Sequence, residues 1–355
     1  EAPVVTGTLV LTVNGSDVTL TPSGQPIDVT TFLPAVAQPT RDWDECTADS
    51  ESLAAADLSI AACTRAIQSG RYRESDMATL YANRGVQRDY REDHDGGIED
   101  LTKAIALDPH NASLFDSRGM LYRSMLYREM PQPDGVRAIA DFTQAIALNP
   151  KEARYYTHRA DAYASDPVSE FALAIADYSQ AITLDPQFAA AFRKRGSTYV
   201  MVTPRDFARA IPDFDRAVAL DPKDSESFLM RAAMYQLLPD FDRAIEDFTQ
   251  VIRLHPESAE AFNNRGTAYV NRDPMNSSPA IADFTQAIAL DPQFADAYIN
   301  RGYAYVFSAP PDFERAIVDF SQASTLNPEN PEGLRLRDMA IEVRACGRSR
   351  PSLRR

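Results

Sequence analysis

Tryptophan occurs once in these 355 residues, histidine four times and cysteine three times. Glycine is scarce as well, at 14 residues, and none of it forms the glycine-rich loop that cradles a nucleotide phosphate. So few histidines and cysteines, without an H-E-x-x-H helix or paired C-x2-C, leave no zinc-site pattern. Positive charge is in deficit. With 36 basic against 51 acidic residues the net charge is -15, the wrong sign for gripping a phosphate backbone. No apolar run reaches the roughly 18 to 20 residues of a membrane-spanning helix. These absences predict no catalytic residues, no cofactor, no metal, no nucleic-acid partner and no transmembrane segment.

What the chain has instead is repetition. Ala138 to Pro150 reads AIADFTQAIALNP, and Ala280 to Pro292 reads AIADFTQAIALDP. The phrase closes at Pro109, Pro150, Pro186, Pro222, Pro256, Pro292 and Pro328, at intervals of 41, 36, 36, 34, 36 and 36 residues. A period of that length marks stacked helical units, none of which buries its apolar face alone. An all-α chain of about seven helix pairs is expected.

Each position of the unit has a physical reading. Gly85, Gly119, Ala160, Gly196, Ala232, Gly266 and Gly302 are small positions of the first helix, where the second helix approaches closely. Tyr199, Tyr235, Tyr269 and Tyr305 follow three residues later on the same helical face and are read as core. A proline after Leu-Asp or Leu-Asn stops one helix and starts the next. The last unit reads Tyr298-x2-Arg301-Gly302-x2-Tyr305, then Ala316-x3-Phe320, then Pro328. This resembles the tetratricopeptide repeat, a helix-turn-helix unit of 34 residues, with arginine where the family usually has leucine. The resemblance covers residues 75 to 328 and implies a right-handed superhelical solenoid that acts through protein–protein contacts.

An ionic series accompanies the repeat. Arg84, Arg118, Arg159, Arg195, Arg231, Arg265 and Arg301 share one position of the first helix. Asp100, Asp141, Asp177, Asp213, Asp247, Asp283 and Asp319 share one position of the second. A guanidinium fork spanning a carboxylate and a helix-end carbonyl would set register between neighbouring units. The alternative is an arginine row that reads an anionic ligand. Arg193, Lys194, Asn263, Asn264, Asn300 and Tyr303 are the mixed groups expected on the groove side. Four intervals carry two extra residues, placed in turns such as Thr203-Pro204-Arg205 and Ser308-Ala309-Pro310-Pro311, and a longer insert spans Tyr127 to Gly135. These turns are either variable contact loops or tolerated spacers. Asp93-His94-Asp95-Gly96 fails the spacing of a calcium loop and reads as a solvated turn.

The ends differ from the body. Residues 1 to 40 hold β-prone runs with Leu9, Leu11, Val13, Val18 and Leu20 around Asn14-Gly15, a hairpin signal. Residues 41 to 74 read as an incomplete unit, a capping helix pair. There Cys46 and Cys63 are expected to form a disulfide, the alternative being two separate buried thiols. Residues 329 to 355 read as a capping helix with Leu336, Met339, Ala340 and Val343 on one stripe, followed by a basic tail that includes Arg348 and Arg350. From Leu334 onward seven arginines stand against Asp338 and Glu342.

Together these features predict a non-enzymatic interaction scaffold of the periplasm or the extracellular space, similar to bacterial envelope proteins built from such repeats. A start at Glu1-Ala2-Pro3 fits removal of a secretory signal, although a start trimmed by cloning would look the same. Its expected partners are proteins, copies of itself included. The hairpin and the basic tail point to head-to-tail assembly into linear oligomers or filaments. The alternative is a monomeric adaptor that binds a peptide segment of another envelope protein in its groove.

Overall fold

The computed structural model describes residues 9–13, 16–20, 41–48, 52–125, 133–165 and 170–348. Its contacts divide the chain into two units, residues 1–134 and 135–355. In the first unit, strands β1 (Leu9–Val13) and β2 (Ser16–Leu20) pair antiparallel, Leu9 opposite Leu20 and Leu11 opposite Val18. The expected Asn14-Gly15 turn lies outside the described residues, as does residues 21–40. Then come α1 (41–47), α2 (Leu53–Ser69), α3 (Glu74–Tyr90), α4 (His94–Leu107) and α5 (Ala112–Met125). The second unit runs α6 (Pro133–Leu148), α7 (Ala153–Ser165), α8 (Phe171–Leu184), α9 (Ala189–Met201), α10 (Phe207–Leu220), α11 (Ser225–Leu237) and α12 (Phe241–Leu254). It continues through α13 (Ala259–Arg272), α14 (Ser278–Leu290), α15 (Ala295–Phe307) and α16 (Phe313–Leu326) to α17 (Glu332–Arg348). Within each unit every helix packs chiefly on its neighbours in sequence, which is the arrangement of an all-α repeat stack.

The sequence dictates these boundaries locally. Asp185, Asp221 and Asp291 each precede a proline, and each carboxylate accepts the backbone N–H two residues on. That turn directs the chain out of a second helix and into the next first helix. At the other end of the second helices, Asp206, Asp240 and Asp312 are N-caps whose side chains accept from Arg209, Arg243 and Arg315 N–H. Asp93 caps α4 in the same manner, so His94, Asp95 and Gly96 form its first turn rather than a solvated loop.

In residues 135–355 the core holds one buried aromatic ring per second helix, Phe142, Tyr178, Phe214, Phe248, Phe284 and Phe320, while α4 has Leu101 at that position. Each ring needs a small residue opposite it. A Cβ built on Gly302 would stand 2.6 Å from the Phe320 ring, and one on Gly266 would stand 2.7 Å from Phe284. Tyr199 and Tyr235 are buried as expected, whereas Tyr269 and Tyr305 are half-buried. These two rings pack on the apolar core with one face and carry a guanidinium as well: Arg272 lies 5.1 Å above Tyr269, and Arg315 lies 5.5 Å above Tyr305.

Both ends of the helical array are finished differently from its interior. Cys46 and Cys63 are disulfide-bonded and fully buried, tying α1 to α2. Trp43 stacks on Tyr72, and Arg65 bonds Asp42 and Glu45, so the short α1 is held by a covalent bond, a ring pair and ion pairs. On α17 only Leu336 and Ala340 of the expected stripe are buried, against Phe320 and Ala323 of α16. Met339 and Val343 are exposed. The stripe is narrower than expected because α17 packs on one helix and no helix follows it among the described residues. Peptide mapping without reductant should recover Cys46 and Cys63 in a single linked fragment. Separate, alkylatable thiols in native protein would contradict the bridge.

Candidate interaction site

The arginine series is built by the two helices of each pair. Six arginines, at 84, 159, 195, 231, 265 and 301, aim Nε and Nη2 at both oxygens of the aspartate on the second helix of the same pair. The bonds run from 2.6 to 2.8 Å, for example 2.8 and 2.6 Å from Arg231 to Asp247. The carboxylate partner therefore lies within the unit, not in a neighbouring one. Arg118 and Asp141 belong to different units of the chain.

The inter-unit bond comes from the remaining nitrogen, and its acceptor is a side chain rather than the expected helix-end carbonyl. Nη1 of Arg84, Arg118, Arg159, Arg195, Arg265 and Arg301 donates to Thr64, Thr102, Thr143, Ser179, Thr249 and Thr285 on the preceding second helix. Each hydroxyl in turn donates to the carbonyl four residues back, as Thr249 does to Ile245. Arg231 alone meets an acid at that position, Asp215, at 2.7 Å. A ring three residues earlier flanks every guanidinium, from Tyr81 beside Arg84 to Tyr298 beside Arg301. The hydrogen bonds donated to the aspartates hold Arg84, Arg159, Arg195, Arg265 and Arg301 above the usual guanidinium pKa. Burial opposes the charge on Arg231, but Asp247 and Asp215 outweigh it and its pKa is raised too.

The edge of the stack carries a second recurring knot, which the sequence reading missed. Asp206 N–H bonds Tyr199 O, its carboxylate pairs with Arg209, and that guanidinium lies 4.5 Å above the Tyr199 ring. Asp240, Arg243 and Tyr235 repeat this, and so do Asp312, Arg315 and Tyr305. The signal was present as D-F-x-R at Asp206, Asp240 and Asp312. It gives the turns at Pro204 and Pro310 a structural use: they return the chain to the tyrosine carbonyl.

The face lined by first helices in the second unit is largely cross-linked to itself. Lys194 Nζ donates to Asp161 at 2.6 Å, and Asp161 also accepts from Tyr178 Oη. Arg193 reaches Asp224 and Glu226. Asn300 donates to Asn263 at 2.9 Å, and Gln236 donates to the Asn264 carbonyl. Tyr303 lies edge-on to Phe320 and stacked on Phe307. Thus Arg193, Lys194, Asn263, Asn300 and Tyr303 help hold neighbouring helices. The outward apolar groups are others: Met201, Leu237 and Phe307 are 59%, 53% and 53% exposed and end α9, α11 and α15. Counted by repeat they occupy one position, with Asn271 between Leu237 and Phe307. Of the assembly candidates, Leu9, Leu11, Val13, Val18 and Leu20 are placed by backbone alone and Arg348 ends α17, while Arg350 lies outside the described residues.

Arg231→Leu should destabilise the protein by about 2 to 4 kcal/mol, because it strands the buried Asp247 carboxylate. Replacing both Arg231 and Asp247 by leucine should cost less. A double-mutant cycle on chemical denaturation measures the difference, and zero coupling would contradict the fork as a clamp between α11 and α12.

The tetratricopeptide repeat family model matches residues 137–188 and 238–273. No curated protein matches the chain. The C-terminal part of a TPR repeat-containing protein from Cytophaga hutchinsonii is 16% identical, covering 71% of this chain and 97% of that one with a TM-score of 0.58. Pseudomonas aeruginosa pilF is 16% identical, covering 62% and 94%, with a TM-score of 0.50. A tetratricopeptide repeat protein from Parabacteroides merdae is 20% identical, covering 75% and 99%, with a TM-score of 0.48. The family model supplies the sequence match and the first two structures the fold. The repeated Arg-small-x2-Tyr and Ala-x3-Phe positions in packed helix pairs are where this chain is similar to tetratricopeptide repeat proteins.

Proposed function

We propose that the chain is a non-catalytic scaffold that binds an apolar segment of another protein on the first-helix face of residues 135–355. The observation that carries this reading is the exposed series Met201, Leu237 and Phe307 at one repeat position. Interior polar groups beside it are already bonded within the chain, so the face offers apolar contact on a braced surface. The Cys46–Cys63 bridge supports a working place in an oxidising compartment, the periplasm or outside the cell.

The experiment is selection of binding peptides from a random library displayed against the full chain. Binders should be rich in aliphatic or aromatic residues. They should lose affinity to Leu237→Asp and Phe307→Asp, and keep it for Leu58→Asp, an exposed apolar position elsewhere. Binders indifferent to the first two substitutions would refute this face as the site.

A second reading, head-to-tail self-assembly through the terminal segments, is favoured by one observation. The β1–β2 sheet has two strands only, so both of its outer edges are unpaired among the described residues. Together with seven arginines after Leu334 on a chain of net charge -15, that open edge favours contacts between opposite ends. Light scattering of the full chain at low salt should then show linear oligomers that shrink as salt is added. A single small species under those conditions would exclude this reading.

A further inference from the structure

The geometry points to a two-fold contact between copies of this chain through the outward face of α17. That helix is a first helix that lacks its second. A step of 36 residues carries Ala297, Arg301, Gly302 and Ala304 of α15 onto Gly333, Arg337, Asp338 and Ala340, and carries Tyr298 and Tyr305 onto Leu334 and Ile341. The positions that pack backward stay buried, Gly333 and Ala340 among them. The positions that α16 covers on α15 are open on α17: Leu334 is 42% exposed and Ile341 38%, and the Asp338 side chain is 61% exposed.

Another second helix of the chain's own type does not fit there. At the equivalent Gly302, even a Cβ would stand 2.6 Å from the Phe320 ring, and Asp338 would add a carboxylate to that collision. Continued stacking in the repeat's own register is therefore blocked.

The face does fit itself. Leu334, Arg337, Asp338 and Ile341 have i, i+3, i+4, i+7 spacing and form one stripe. Turned antiparallel about a two-fold axis between Arg337 and Asp338, the stripe sets each Leu334 against the second copy's Ile341. Each Arg337 then faces the second copy's Asp338. Within one chain Arg337 already bonds the adjacent Asp338 at 2.8 Å, so the pair exchanges one carboxylate for an equivalent one. The contact is isologous and closes at two copies. Two helical turns of stripe bury less than the roughly 1,200 Å² of a standard interface, so the dimer is weak and concentration-dependent.

Sedimentation velocity of the full chain over a concentration series tests this. The chain should associate reversibly. Asp338→Arg or Arg337→Asp alone should weaken association by about tenfold or more, since each sets like charges across the axis. Arg337→Asp combined with Asp338→Arg restores complementarity and should restore association, as should mixing the two single variants. Circular dichroism confirms that these exposed substitutions leave the helices intact. A chain that stays monomeric, single variants that associate like the parent, or a double variant that fails to recover would each overturn the proposal. Peptide binding by the first-helix face is read separately and does not bear on the outcome.

Discussion

The structure depends on how closely a first helix can approach its second. At Gly266 and Gly302 the facing ring leaves no room for a Cβ, and at Gly196 one would fit only tightly, 3.2 Å from Phe214. Ala160 and Ala232 are fully buried at the same position, so a methyl is accommodated opposite Tyr178 and Phe248. The alanines that flank the rings, such as Ala280 and Ala287 around Phe284, are fully buried for the same reason. Apolar packing of this kind has no direction of its own, and similar units could slide against one another. Each guanidinium supplies direction twice: its bidentate bond to the carboxylate fixes the two helices of a pair, and its Nη1 bond to the preceding second helix fixes one pair against the next.

Much of this was legible in the sequence because it repeats. A residue seen once is ambiguous, but glycine or alanine seven times at one position, followed each time by a large apolar residue on the second helix, constrains both type and spacing. The arginine and aspartate series was legible for that reason, and its topology was not. Residue spacing alone does not separate a bond within the pair from one between pairs, and it was the modest Thr102, Thr143 and Thr249 that took the inter-unit bond. Groove residues were harder to read. Lys194 looks available in a sequence, but Asp161 lies 33 positions earlier and comes beside it only in the folded stack. Met201, Leu237 and Phe307 were passed over because apolar residues in a helix are expected to point inward.

The charge distribution follows from the same geometry. Six arginines of the series are each neutralised by the aspartate of their own helix pair, so these pairs put ions into the interior with little net charge. Asp247 is almost wholly enclosed, and desolvating it would be unfavourable without two guanidinium bonds. The excess of acid over base therefore belongs to the outside of the molecule, where it favours solubility of a repeat protein with many half-buried rings. A series so fully paired has little left to offer an anionic ligand, which is why the exposed apolar positions, and not the arginines, carry the functional reading.

Repeat arrays have one structural problem that globular domains lack: their terminal units each face water with a surface evolved to face another unit. The two ends here answer it in different ways. At the start, residues 41–47 are tied to the helices that follow by the disulfide, by Trp43 on Tyr72 and by packing of Cys46 against Ala62, Ala66 and Leu80. At the other end the first helix is kept at full length and its small position is changed to Asp338, which makes the open face polar at its centre and too bulky for the repeat's own second helix. Leu334 and Ile341 nevertheless remain as apolar residues on either side of that centre. An end required only to stay in solution would have no use for them, and their symmetric placement about Arg337 and Asp338 is what a face shaped for its own copy requires.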